Sequence, residues 1–195
     1  MRQLFIGLTM ALIMLAVGTT WNSNAVAAND GHTSATPMQR LAESMLTDID
    51  QATWVSEGKG PHIMYIFFDP NCPFCHKLYV NTRSWVKDGK VELRWIPVGI
   101  LAATSAGKAA AILGAKDPLK AFYQNEDHYN RGGGIEEDIA SPEIEHKLKA
   151  NASLLARTGF GAVPLMLFRA NDGTPFLVQG SPPKDKLTVI LDHVK

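Results

Sequence analysis

Only two of the 195 residues are cysteine, which excludes a disulfide-dense mini-scaffold and a structural zinc site built on four thiolates. There is no charge excess: 19 Lys+Arg balance 19 Asp+Glu, so the basic footprint of a nucleic-acid binder is missing. There are no internal repeats. The one long apolar stretch, Leu4 to Val17, has 14 residues and falls short of a bilayer span, which takes about 18. What is present is an ordinary globular composition, 46% hydrophobic and 19% charged, enough to bury the core of one domain with an appendage.

The order at the amino end is that of a secretory signal peptide: a positive Arg2, the apolar run, a polar stretch from Gly18 to Asn24, and the small-residue site Ala25-Val26-Ala27. Cleavage after about Ala27 would leave 168 residues carrying 18 basic and 19 acidic side chains. The expectation is an exported protein, located in the periplasm. Residues 28 to 36 are small and polar and read as a flexible tail.

Beyond the tail, Pro37 opens a helical pattern with Leu41, Met45, Ile49 and Ala52 on one face, broken at Gly58-Lys59-Gly60-Pro61. The apolar run from Ile63 to Phe68 predicts a strand buried on both faces. A turn at Asp69-Pro70-Asn71, a helix to about Lys87 and a strand from Val91 to Val98 follow. Helices are expected around Ala106 to Gly114 and Pro118 to Gln124, and after Ser141-Pro142-Glu143, where a capping serine and a first-turn proline mark a start. Arg131-Gly132-Gly133-Gly134 lacks the spacing of a phosphate cradle and reads as a loop. Val163 to Phe168 and Pro175 to Val178 are strands joined by the hairpin signal Asn171-Asp172-Gly173, and Ser181-Pro182 starts a terminal helix. The fold class is α/β, a sheet of mixed strand direction between helices.

Chemistry concentrates at Cys72-Pro73-Phe74-Cys75, between a buried strand and a helix. A cysteine at the first helical turn meets free backbone N–H groups and the positive end of the helix dipole, both of which favour the thiolate. Pro73 fits there because its missing N–H is not needed. Cys75, one turn on, can attack a mixed disulfide formed on Cys72, so the pair can cycle between dithiol and disulfide. A purely stabilising disulfide is the weaker reading, since so short a loop gains little. His76 completes Cys-x-x-Cys-His, which also allows a c-type haem, with Met166 or His128 as second axial ligand, or a Cu(I) site on the thiols and His76. His76 is read here as an exposed helix residue that modulates the thiols. Phe74 and Tyr79 either offer apolar surface near the centre or belong to the core. At Val163-Pro164 the proline enters an apolar strand, which fits equally an edge-strand proline or a cis peptide that leaves Val163 to pair with an incoming peptide.

These stretches together resemble a known family: Thr53-Trp54-Val55 through Lys59, Phe67-Phe68-Asp69-Pro70, the Cys72–Cys75 centre, and Ala109 to Leu113 through Lys116-Asp117-Pro118. From about Leu41 to the carboxyl end the chain is similar to the DsbC/DsbG family of periplasmic thiol:disulfide interchange proteins. The resemblance implies a thioredoxin fold with a helical insertion at about 99–161, in a catalytic domain over 59–195. A signal peptide over 1–27 and a flexible tail with a short linker-like helix over 28–58 precede it. It implies Cys72 as nucleophile, Cys75 as resolving thiol, and Pro164 as a cis-proline facing them beside Val163, where the family carries threonine. No cofactor or metal is expected beyond the redox-active pair. Partners implied are cysteine-containing exported proteins and a membrane reductant of the DsbD type. The family carries an amino-terminal dimerisation domain; with only a tail before residues 37–57, a monomer is expected rather than the family's V-shaped dimer.

Overall fold

A computed structural model of the chain describes residues 35–131 and 134–195. The expected signal peptide, the tail up to residue 34, and Gly132 and Gly133 of the loop lie outside the described residues. The first helix, α1 (Pro37–Thr47), starts with a reciprocal cap: Gln39 N–H donates to Thr36 Oγ1 at 3.1 Å and Thr36 N–H to Gln39 Oε1 at 2.8 Å. It stops at Asp48, and Ile49–Gln51 continues only as a 3-10 turn.

The sheet begins earlier than the sequence suggests. Strand β1 (Val55–Gly58) falls inside the segment expected to be tail and linker, so the sheet starts ahead of the boundary at 59. It lies antiparallel on β3 (Val91–Pro97), with Val55 opposite Trp95 and Gly58 opposite Glu92. Glu57, fully buried on β1, is held by a bidentate ion pair with Arg83 and by Trp95 Nε1–H at 2.9 Å. A charge in that position is tolerated only because all these donors converge on it.

Strand β2 (His62–Phe68) pairs parallel with β3 and is joined to it by α2 (Pro73–Lys87). Three helices follow, α3 (Ser105–Gly114), α4 (Pro118–Asp127) and α5 (Pro142–Ala156), the last capped by Ser141 as expected. The chain then returns to the sheet as the antiparallel hairpin β4 (Leu165–Arg169) and β5 (Pro175–Gln179), giving the order β1-β3-β2-β4-β5. Helix α6 (Lys184–His193) starts three residues later than Ser181, with Pro183 at its N-cap and no side-chain cap.

Both sheet faces are covered, which is why β2 reads as an unbroken apolar run. Met64, Ile66 and Phe68 face a core shared with α2, α4 and α6, including Leu78, Phe122 and Leu191. Phe67 points the other way, with Leu165 and Leu167, toward Ala42, Met45 and Ile49 at the α1 end and Leu154 and Leu155 of α5. Arg169 fixes α1 to β4 through two 2.7 Å hydrogen bonds to Glu43. Asn151, fully buried on α5, accepts Thr53 N–H at 2.8 Å and donates to Thr53 O at 2.9 Å and Pro97 O at 3.0 Å. Asn151→Leu keeps the bulk but strands these buried backbone groups, at a typical cost of about 1–3 kcal/mol for an orphaned group. The expected outcome is a loss of roughly 2–4 kcal/mol in denaturant unfolding, with the m-value unchanged.

Candidate active site

Strand β2 ends at Phe68, and the turn Asp69-Pro70-Asn71 delivers the chain to α2 with Cys72 at the N-cap. Cys72 Sγ accepts the Cys75 N–H at 3.3 Å, taking the place a serine or aspartate oxygen fills at other helix starts. Pro73 occupies the first helical position, where no N–H is required. Cys75 lies on the buried stripe that continues through Leu78, Tyr79, Thr82 and Trp85, so it faces the core and is fully covered. Cys72 keeps 2% of its surface, and its thiol meets the Val163 carbonyl at 3.6 Å. The Val163–Pro164 peptide is cis, Val163 is half-buried and Pro164 is buried. Phe74 stands 59% exposed beside the pair, whereas Tyr79, the other aromatic considered at the centre, belongs to the core.

The two sulfurs ionise in opposite senses. Cys72 is lowered to about 7, first by the hydrogen bond from the Cys75 thiol and then by the Cys75 and Phe74 N–H groups, against burial and the Asp69 charge. Cys75 is pushed far up, first by burial, then by its hydrogen bond to Cys72 and the charges of Cys72 and Glu126. One sulfur is therefore a thiolate near neutral pH while the other holds its proton.

The helical insertion holds the turn in place. The Asp69 carboxylate, almost fully buried, accepts Asn71 N–H (2.9 Å), Ser105 Oγ–H (2.7 Å), Ile100 N–H (2.7 Å) and Leu101 N–H (3.0 Å). Gly99 lets the 99–102 segment lie against α3, since a Cβ there would come within 2.4 Å of Ala106 Cα. Lys108 donates to Asn71 Oδ1 at 3.0 Å, Asn125 to Pro70 O at 3.1 Å and Tyr129 to Asn71 O at 2.9 Å. Every residue of the turn before Cys72 is thus fixed from the insertion.

His76 is not the exposed residue the sequence suggests. Its side chain keeps 16% of its surface, and its ring stacks on Tyr129 at 4.5 Å between centroids. Nδ1 lies 3.1 Å from Glu126 Oε2 and Nε2 lies 3.2 Å from Asn130 Nδ2. Both ring nitrogens are therefore engaged with the insertion rather than turned to the sulfurs. Of the two axial-ligand candidates, Met166 is buried in β4 and His128 is exposed at the end of α4. Among the described residues no group of three or more His, Cys, Asp and Glu side chains is arranged to hold a metal ion. Glu126, 2% exposed, is raised to about 8, first by burial, with Asn125 and Arg83 opposing and the Cys72 and Glu57 charges adding. Burial pushes His76 down, against the Asp127 charge.

The structure brings Cys72, Cys75, Pro73, Phe74, Val163 and Pro164 together, with His76 one layer behind. The sequence reading passed over Asp69, Ser105, Asn125 and Glu126. For the last two a signal existed: they extend the buried stripe of α4 beyond Ala121 and Phe122, and polar residues in an apolar stripe call for partners. Cys75→Ala removes the thiol donor to Cys72 and should move the midpoint of its iodoacetamide alkylation upward from about 7; an unmoved midpoint would assign the depression to the helix start alone.

Residues 49–195 match the thioredoxin-like domain family. The chain is 34% identical over 166 residues to the thiol:disulfide interchange protein DsbG of Pseudomonas aeruginosa, covering 81% of this chain and 64% of the relative. Against DsbG of Escherichia coli it is 33% identical over 150 residues, covering 74% and 59%. It spans about three fifths of the length of these curated relatives. The catalytic domain of Proteus mirabilis ScsC shares the fold, with a TM-score of 0.63 at 16% identity over 77% of this chain and 96% of that one. The thioredoxin fold with a helical insertion, implied by the resemblance, is the fold of the chain. By the match across residues 49–195, the chain belongs to the thioredoxin-like domain family.

Proposed function

We propose that this chain is an exported thiol–disulfide oxidoreductase that works as a reductase or isomerase on protein disulfides and oxidised cysteines. The observation that carries this reading is the geometry of two sulfurs one helical turn apart at the start of α2, with Cys72 Sγ accepting the Cys75 N–H at 3.3 Å and lying 3.6 Å from the Val163 carbonyl of the cis Val163–Pro164 peptide. The lowering of Cys72 to about 7 and the raising of Cys75 agree with it. The similarity to two thiol:disulfide interchange proteins supports it.

In the first step the Cys72 thiolate attacks a substrate disulfide. The substrate S–S bond breaks, one substrate sulfur leaves as thiolate, and a mixed disulfide forms on Cys72. Cys75 then attacks the Cys72 sulfur and expels the second substrate thiolate. Two electrons have passed to the substrate, and the Cys72–Cys75 disulfide remains. A sulfenic acid enters at the same point: Cys72 bonds its sulfur, and the hydroxyl leaves as water with one proton. Substrate backbone lies along Val163 and Pro164, with the exposed Phe74 ring as an apolar contact. Pro73 and His76 modulate the pair through the helix start and the insertion.

The working partners are cysteine-containing exported proteins and a membrane reductant of the DsbD type that returns the pair to dithiol. The place of action is the periplasm, after cleavage near Ala27, and the working unit is a monomer; among the described residues no helix is long and apolar enough to cross a membrane. A dithiol oxidase would use the same residues in the opposite direction, and the depressed Cys72 favours it to the extent that it stabilises the reduced form.

Cys72→Ser is expected to abolish turnover, and Cys75→Ser to accumulate mixed disulfides with exported proteins on non-reducing gels. Absence of trapped complexes would overturn the resolving role of Cys75. Acid-quenched cells probed with a mass-tagged alkylating reagent should show both cysteines tagged before reduction. Tagging only after reduction would assign the oxidase direction.

A further inference from the structure

We propose that the entrance of the helical insertion is a docking track for an unfolded substrate chain. The exposed apolar strip at residues 100–103, and the groove it leads into between α3 and α5, hold apolar residues on one side of the substrate's oxidised cysteine. This rests on the thiol–disulfide reading above and chooses between its substrate classes, favouring unfolded chains over folded proteins with one oxidised surface cysteine.

The strip starts at the turn before Cys72. Ile100 and Leu101 N–H donate to one oxygen of the Asp69 carboxylate at 2.7 and 3.0 Å, and Cys72 N–H donates to the Asp69 carbonyl at 2.9 Å. Ala102 N–H donates to Ser105 Oγ at 3.0 Å, and that hydroxyl donates to the other Asp69 oxygen at 2.7 Å. The backbone is held inward while the side chains stay outside: Ile100 and Leu101 keep 42% and 49% of their surface, and Ala102 and Ala103 are exposed. No charged side chain occurs between Arg94 and Lys108. Apolar residues whose backbone is already ordered lose little further freedom when a partner covers them. Beside a sulfur that another chain must reach, such a patch marks where that chain lies.

The strip opens into a groove. Gly99, Ala106, Ala110, Ala140, Leu148 and Ala152 line a volume of about 600 Å3. Side chains this small leave the space between α3 and α5 unfilled, and bulky side chains from another chain fit it. Gly107 O accepts the Asp138 N–H at 3.1 Å, which lays residues 138–140 along the rim, where Ile139 is 94% exposed. Gly99 and Ala106 flank the strip in sequence and also line the groove, so the two form one apolar path away from Cys72.

The path suits many substrates better than one dedicated partner. Three of the strip's four N–H groups are engaged inside the protein, so it offers side-chain contact without a hydrogen-bond register. The groove edge carries both signs of charge, Asp138, Glu145 and Lys149, and selects neither. An interface with a single partner draws its selectivity from charge and polar complementarity. A folded protein presenting a surface cysteine reaches Cys72 but leaves the groove empty, whereas an extended chain reaches both.

The test uses two peptides, each with one cysteine held as a mixed disulfide with thionitrobenzoate. One carries Leu, Ile and Phe within about six residues of the cysteine, a reach of roughly 20 Å when extended. The other carries Ser, Thr and Gln there, at the same net charge. Cys72 attack on the peptide sulfur forms a new mixed disulfide and releases thionitrobenzoate. With the reduced wild type, release from the apolar peptide should be at least about tenfold faster at limiting peptide, the difference lying in half-saturation and not in the limiting rate. Ile100→Ser combined with Leu101→Ser should bring the ratio of the two peptides toward one, and Ala152→Trp, which fills the groove, should do the same. As a readout that needs no change in the track, the apolar peptide with a benzophenone at its far end is trapped on Cys75→Ser and illuminated. Cross-links should fall on residues 99–110 or 138–152. Equal rates for the two peptides, or cross-links confined elsewhere, overturn the proposal while the redox reading stands. A wild type that sediments as a dimer, with the double variant a monomer, assigns the strip to a second copy and overturns it as well. Failure of both peptides to release thionitrobenzoate overturns the redox reading, and the proposal with it.

Discussion

The Asp69 carboxylate is the joint on which the site depends. It sits where the central strand β2 hands over to α2, and its oxygens collect donors from the turn, from α3 and from the segment before α3. A buried carboxylate persists only where hydrogen bonds replace its lost hydration, and each such bond to a charged group contributes about 1.5–3 kcal/mol. The insertion is therefore tied to the sheet at the point where the Cys72 sulfur emerges. Asp69 also pushes Cys72 upward by its charge, so the group that positions the thiol partly opposes its ionisation. The helix-start N–H groups and the Cys75 thiol outweigh that opposition.

A second consequence is a division of labour between the two faces of the sheet. The α2 face carries the cysteines, the aromatic cluster of Trp95, Phe122 and Tyr79, and the pair of buried Glu57 with half-buried Arg83. The opposite face is sealed by α1 and α5 with aliphatic side chains and the Asn151 bridge. Polar groups on the reactive face come in partnered sets reaching from the insertion to the base of α2. The insertion is therefore part of the candidate site and not an ornament on a smaller fold.

Much of this was readable in advance, for physical reasons that differ by element. The cysteine pair declared itself because a sulfur at a helix start, followed by proline and then a second sulfur one turn on, has a local chemical logic. Strand β2 was legible from six consecutive apolar residues, and the β4–β5 hairpin from Asn171-Asp172-Gly173, where Gly173 takes a φ of +86°. Strand β1 was not legible: Val-Ser-Glu-Gly has one apolar side chain, and it is a strand because β3 and Arg83, distant in sequence, complete it. His76 was misread for the same reason. Its burial is created by Glu126 and Tyr129, some fifty positions along the chain. The start of α6 was misplaced because Ser181 resembles a cap by composition while the backbone turns helical only after Pro183.

The unequal ionisation of the two sulfurs also sets how any disulfide between them would respond to acidity. Below about pH 7, reducing that bond consumes two electrons and two protons, because both sulfurs end as thiols. Above it Cys72 remains anionic, and only Cys75 takes up a proton. The midpoint potential should therefore fall by about 59 mV per pH unit on the acid side and by only about 30 mV per unit on the alkaline side. The bend lies near the neutral range, so modest acidification of the surroundings would change the driving force of this pair more steeply than an equal rise in pH.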